Sequence, residues 1–88
     1  MTCLIAVLPM TFYLNQATAT AWCERLGARE HAEACATVGT QDSPGFIIMP
    51  TRESARWFRG PRWTQAEWDH ALQHELQHAV CGLPAETH

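Results

Sequence analysis

The feature that most restricts the fold is a long helix near the end of the chain, because the sequence specifies both of its ends. Thr64 and Glu67 match a capping box, in which each side chain accepts a hydrogen bond from the other residue's backbone N–H at the start of a helix. Gly82 supplies the stop signal. We therefore expect one helix over residues 65–81. A chain of 88 residues has room for one small domain, which we place over residues 1–88.

Inside this predicted helix, residues 74–78 read HELQH and match the HExxH pattern of zinc-binding helices. His74 and His78 are one helical turn apart, so their imidazoles can bind one zinc ion. Glu75 lies about 100° around the helix from His74, where its carboxylate can take a proton from zinc-bound water instead of binding the metal. The sequence thus predicts two metal ligands and one catalytic general base.

A catalytic zinc ion usually has three protein ligands and one open position, so a third ligand is needed. The longer HExxHxxGxxH pattern is not met, because Cys81 stands where that pattern has glycine and Gly82 comes one residue late. His88, ten residues after His78, is the predicted third ligand, since Gly82 lets the chain turn back toward the metal. Cys81 and Glu86 are the alternatives.

The rest of the chain contains shorter elements. A continuous apolar run closed by proline is typical of a buried strand, and an asparagine cap followed by a glycine stop indicates a helix. The predicted elements are a strand over residues 3–8, a helix over 16–26 after Asn15, hairpin strands over 34–38 and 46–49, and a connecting loop over 51–62. With the final helix they predict an α+β fold, in which a small, mostly antiparallel sheet of about three strands packs with two helices.

The order of these elements resembles the minimal zincin fold, and the chain is similar to small zinc metallopeptidases, assigned by motif, that phages and prophages encode. The resemblance is carried by the first strand ending at Leu8, a strand containing Cys35, the strand of residues 46–50 (FIIMP) and the HExxH helix. It implies a zinc cofactor, peptide-bond hydrolysis, and a peptide substrate lying along an edge strand of the sheet. It also implies a further histidine soon after the motif, a position that His88 can fill.

Composition restricts the partners and the compartment. Six arginines, no lysine and a net charge of −3 argue against a general nucleic-acid binder, and no apolar stretch reaches the ~20 residues of a membrane-spanning helix. The apolar N-terminal run lacks the basic region of a signal peptide, so we expect the protein to lie in the cytoplasm, or in the host cytoplasm for a phage protein, and not to be secreted.

The four cysteines allow three pairings and leave the disulfide state open. So small a chain has few walls for a specificity pocket, which makes a homodimer or a host-protein partner a candidate.

Three functions are compatible with the sequence. The first is a zinc metallopeptidase in which Glu75 is the general base. The second is a structural zinc site that Cys81 closes together with His74, His78 and His88, leaving no position for water. The third is a small phage-type interaction protein in which the histidines are incidental. His31 and His70 receive no role: the first precedes the predicted hairpin, and the second is expected to be an exposed helix histidine that points away from the ion.

Overall fold

The computed structural model describes residues 3–84, and in this part of the chain it contains two helices and a three-stranded sheet. The elements are β1 (Thr11–Leu14), α1 (Gln16–Arg25), β2 (Cys35–Ala36), β3 (Ile47–Pro50) and α2 (Gln65–Cys81). The predicted α+β class is confirmed. Among the described residues no helix is both long and apolar enough to cross a bilayer.

β3 is the central strand of the sheet, and all four of its residues are buried. It pairs with β1 in parallel and with β2 antiparallel, in the order β1-β3-β2. The predicted hairpin is confirmed by the β2–β3 pair, whereas the sheet as a whole is mixed and not mostly antiparallel. The parallel pair forms because the chain between β1 and β3 passes through α1, and a crossover through a helix returns the chain in its original direction.

The predicted first strand over residues 3–8 is wrong, since the structure has no strand there and β1 begins only at Thr11. Leu4 and Leu8 are 80% and 85% exposed, so the apolar run is not covered on both faces. The strand that does form reads TFYL, a β-branched and aromatic segment beyond the proline. An apolar run alone does not establish that a strand has partners on either side.

This N-terminal segment is fixed by contacts with distant residues and not by pairing with a neighbouring strand. Cys3 forms a disulfide with Cys81 at the end of α2. The Gln41 side chain accepts a hydrogen bond from the Ala6 N–H at 3.2 Å and donates one to the Leu4 carbonyl at 2.9 Å. The segment is therefore tied to the end of the helix that carries the HExxH motif.

The sheet lies between the two helices, and β3 contributes side chains to both layers. Ile47 and Met49 belong to the cluster on the α2 side, while Ile48 belongs to the cluster on the α1 side, as the alternation of a strand requires. The α1 cluster includes Cys23 and Cys35, which form the second disulfide. Both helices are thus anchored on the same central strand.

The ends of the helices follow the sequence closely. Asn15 accepts a hydrogen bond from the Thr18 N–H at the start of α1, and the capping box of Thr64 and Glu67 is formed at the start of α2. Gly82 is the C-cap of α2 and has a left-handed backbone with φ 71°. The predicted helix over 65–81 is therefore confirmed at both ends.

The last turn of α2 is seated on the hairpin loop, residues 37–46. The final carbonyls of a helix have no partner within the helix, and here the loop satisfies three consecutive ones. The hydrogen bonds run from Gly39 N–H to the His78 carbonyl at 3.0 Å, from Gly45 N–H to the Ala79 carbonyl at 2.7 Å, and from the Gln41 side chain to the Val80 carbonyl at 3.5 Å. This seat fixes the helix end against the sheet.

We expect Gly39→Ala to lower the free energy of unfolding by about 2 to 3 kcal/mol, because its methyl group would overlap Gly45 N and lie 2.5 Å from the Ala79 carbonyl oxygen. Urea unfolding with both disulfides intact measures the loss. Gly60→Ala is the control, since its methyl group meets only the Trp57 side chain, at 3.1 Å, and the Trp57 and Phe58 carbonyls at longer range. Equal losses in the two variants would show that the contact between the hairpin loop and the end of α2 contributes little to the free energy of unfolding.

Candidate metal centre

α2 brings His74 and His78 together on one face, as the i, i+4 spacing predicts. Their Nε2 atoms are 3.1 Å apart, a hydrogen-bond distance, and their ring planes are nearly perpendicular, at 87°. Two nitrogens bound to one tetrahedral zinc ion at about 2.0 to 2.1 Å are themselves about 3.3 Å apart. The spacing of the two imidazoles is therefore close to that of two ligands of one zinc ion, which would replace the hydrogen bond between them.

The orientation of the His78 ring is set by the chain that follows α2. His78 is almost completely buried, and its Nδ1 lies 2.6 Å from the Leu83 carbonyl oxygen. A carbonyl oxygen only accepts hydrogen bonds, so the proton of the neutral ring is on Nδ1. Nε2 then keeps its lone pair, which is the arrangement found in metal-bound histidines whose other nitrogen donates to a carbonyl.

His74 is partly buried, and its environment disfavours the protonated ring. Burial lowers the pKa of His74 below its ordinary value, and the nearby His78 and His70 rings lower it further when they are charged. A neutral imidazole is the form that binds a metal.

Glu75 is a buried carboxylate without a hydrogen-bond partner on one oxygen. The residue is 4% exposed, and its Oε1 has no partner among the described residues. Burial raises the pKa of Glu75 to about 7, and the Arg29 guanidinium opposes this only in part. A buried polar atom without a partner is costly and calls for an explanation, such as a water molecule or an ion that it serves.

A cleft of about 570 Å³ opens beside this carboxylate. One wall is formed by residues 66–75 of α2, and the other by the chain before β2 and by two tryptophans. Its lining residues are Arg29, Ala32, Glu33, Ala34, Trp57, Trp63, Ala66, Glu67, His70, Ala71, His74 and Glu75. Four of these residues are alanines with short side chains, and His74 and Glu75 line the same cleft.

The structure describes two of the three predicted ligands. His88 and the alternative Glu86 lie outside the described residues. Cys81 is bonded to Cys3, so the prediction of Cys81 as a ligand, and with it the structural zinc site that Cys81 closes, is wrong for the disulfide-bonded protein. Within residues 3–84 no group of three or more His, Cys, Asp or Glu side chains is arranged to hold a metal ion.

Two arginines carried no interpretable signal in the sequence. Arg29 lines the cleft and forms an ion pair with Glu33 at 2.9 Å, and it lies in a polar stretch without a motif. Arg52, in the loop before α2, donates to the Gln65 side chain and to the Trp63 carbonyl instead of partnering an acidic side chain. These contacts join segments that are distant in sequence, which a local pattern does not reveal.

Two other residues with functional side chains lie away from the cleft. Tyr13, which offers a hydroxyl of the type that stabilises an oxyanion, stacks on Trp68 with ring centroids 6.0 Å apart and does not line the cleft. His31 stacks on Phe58 with ring centroids 3.5 Å apart and also lies outside the cleft lining. His70 is exposed, as expected, but it is part of the cleft wall.

Comparison with known proteins adds no relative: no family model matches the chain, and neither a curated protein nor a solved structure is significantly similar to it.

We expect Glu75→Gln to stabilise the metal-free protein above pH 7. Because the pKa of Glu75 is raised from 4.5 to about 7, the folded state holds the proton more tightly than the unfolded state, and the free energy of unfolding falls as the pH rises through this range. At pH 8 the variant should gain on the order of 1 to 3 kcal/mol over the parent in urea unfolding. At pH 4 the two proteins should agree. An equal fall between pH 4.5 and 7 in both would contradict the assignment.

Proposed function

We propose that the chain is a zinc-dependent metallopeptidase, as its resemblance to small phage and prophage metallopeptidases implies. One observation carries the proposal: the buried Glu75 carboxyl has an oxygen without a hydrogen-bond partner, and it follows His74, whose Nε2 lies 3.1 Å from Nε2 of His78. A helix that needed only structural stability would gain nothing from a buried acid at this position. A water-activating site needs such a base next to two metal ligands.

Each residue has a distinct role in this proposal. His74 and His78 would hold Zn²⁺ through Nε2, and His88 remains the predicted third ligand. Bound zinc would supply a Lewis acid that lowers the pKa of water and polarises a peptide carbonyl. Glu75 takes the proton from the attacking water and returns it to the leaving amine. Its raised pKa suits both steps, because the carboxyl can exist in both forms near neutral pH.

The walls of the cleft support a peptide or protein as the substrate. Ala32, Glu33 and Ala34 line it and lead directly into β2, which is an edge strand of the sheet. An extended peptide can pair with the backbone of such an edge, so that its scissile bond lies next to Glu75. The location of the cleft agrees with the edge-strand position that the resemblance implies.

The compartment and the partners stay predictions. The sequence favours the cytoplasm, whereas two disulfides favour an oxidising compartment, because cytosolic reductants keep thiols reduced. A nucleic-acid or membrane partner is not part of the proposal. A homodimer or a host protein is.

A second candidate function is a small phage-type interaction protein, with or without a structural zinc ion, that does not catalyse. The observation in its favour is a groove between β1 and α1 lined only by apolar side chains, with Met10 67% and Trp22 47% exposed. Exposed apolar grooves often mark binding surfaces. Elemental analysis of protein purified without chelator tests the zinc-free form of this candidate first, since a peptidase of this class must hold zinc. The zinc-stabilised form is separated from the peptidase by the Glu75→Gln variant.

Glu75→Gln tests catalysis directly. The variant and the parent should each bind one zinc ion per chain, and the variant should lose peptide hydrolysis by a factor of about 10² to 10⁴, because a neutral amide cannot accept the proton from water. Zinc content by mass spectrometry and cleavage of a mixed peptide library are the measurements. Glu53→Gln, an exposed acid of the loop before α2, should change neither. Activity at parental level in purified Glu75→Gln would refute the role of the base.

Removal of zinc should also lower stability. The metal would join side chains of α2 in the folded state only, so its binding free energy adds to folding. We expect the Tm to fall when a chelator is added and to recover with excess Zn²⁺, and we expect a smaller shift in His74→Ala. A Tm that is insensitive to both chelator and Zn²⁺ would instead favour the interaction protein.

A further inference from the structure

Gly82 reverses the chain immediately after α2. Its backbone has φ 71°, a left-handed conformation that favours glycine, and its N–H donates to the Gln77 carbonyl. The next residue follows the same turn, since the Leu83 N–H also donates to Gln77, at 3.2 Å. The reversal places the Leu83 carbonyl oxygen 2.6 Å from Nδ1 of His78.

Space around Gly82 does not explain why the residue is glycine. A methyl group built there would have only the Gly39 carbonyl oxygen near it, at 3.6 Å, which is an ordinary contact distance. The requirement is therefore the backbone angle itself. An L-residue with a side chain adopts it at a cost, and asparagine adopts it more easily than alanine.

The end of the helix is held too firmly to absorb a change at Gly82. The disulfide of Cys81 to Cys3 fixes the preceding residue, and the hairpin loop binds the carbonyls of three residues before it. Strain introduced at residue 82 can therefore relax most easily in the chain that follows it, which begins with Leu83. The Leu83 carbonyl is then the group that moves.

We infer that Gly82 is a positioning residue for the proposed metal ligand His78. Its left-handed conformation keeps the Leu83 carbonyl hydrogen-bonded to Nδ1–H of His78, so the proton stays off Nε2, the nitrogen that would bind zinc. The sequence pattern indicates only that this glycine stops the helix and turns the chain toward a third ligand. The inference about the tautomer stands on the metal-free geometry. Its consequence for zinc affinity rests on the proposed function.

The test compares Gly82→Ala with Gly82→Asn. Two-dimensional ¹⁵N NMR of the histidine rings, recorded on metal-free protein at pH 8, reports which nitrogen carries the proton. We expect His78 to be in the Nδ1–H form in the parent and in Gly82→Asn, and to be a mixture of tautomers in Gly82→Ala. Zinc affinity should fall about 10- to 100-fold in Gly82→Ala, as it does when the partner of a metal-bound histidine is lost, and stay within about threefold in Gly82→Asn.

Gly27→Ala is the matched control for strain. Gly27 follows α1 and also has a positive φ, 92°, with open space around it. Its alanine variant should lose stability without changing the His78 tautomer or the zinc affinity. An Nδ1–H tautomer that persists in Gly82→Ala, or an equal loss of zinc affinity in Gly27→Ala, would overturn the inference. If the parent itself binds no zinc, the proposed function fails, while the NMR comparison still decides the role of Gly82.

Discussion

Both the fold and the candidate site depend on the hydrogen bonds between the hairpin loop and the last turn of α2. A helix leaves its final carbonyls without partners, and here the hairpin loop donates hydrogen bonds to three of them, while the Gly82 N–H donates to the Gln77 carbonyl just before them. The same turn carries His78. The orientation of its ring is therefore a consequence of how the helix ends, and a site that needs a fixed imidazole obtains it from ordinary helix capping.

The candidate site lowers the stability of a small domain, because it buries polar side chains. A chain of 88 residues buries a limited apolar core, and this one also buries a carboxylate and an imidazole. The two disulfides offset that cost by destabilising the unfolded chain. In the chain-entropy model the span of 12 residues contributes about 3 kcal/mol and the span of 78 residues about 4.5 kcal/mol. The longer of the two also anchors the turn next to His78. Stability and the geometry of the centre thus share one covalent bond.

Local signals predicted the helices well and the sheet only in part. The capping box and Asn15 act within one turn of chain, so the bounds of α2 and the start of α1 could be derived from residue types alone. The strand over residues 3–8 was wrong because an apolar run does not encode its partners. A disulfide and the Gln41 side chain, both from distant positions, hold that segment in an irregular conformation.

The sequence by itself determined that two histidines and a glutamate share one helix, because a helix fixes the relative positions of residues three and four apart. Tertiary structure decided what surrounds them. The burial of Glu75, the Leu83 carbonyl on His78, the choice among three cysteine pairings and the parallel partner of β3 all depend on where the chain returns in space. That return is governed by packing between segments far apart in sequence, which no local pattern contains.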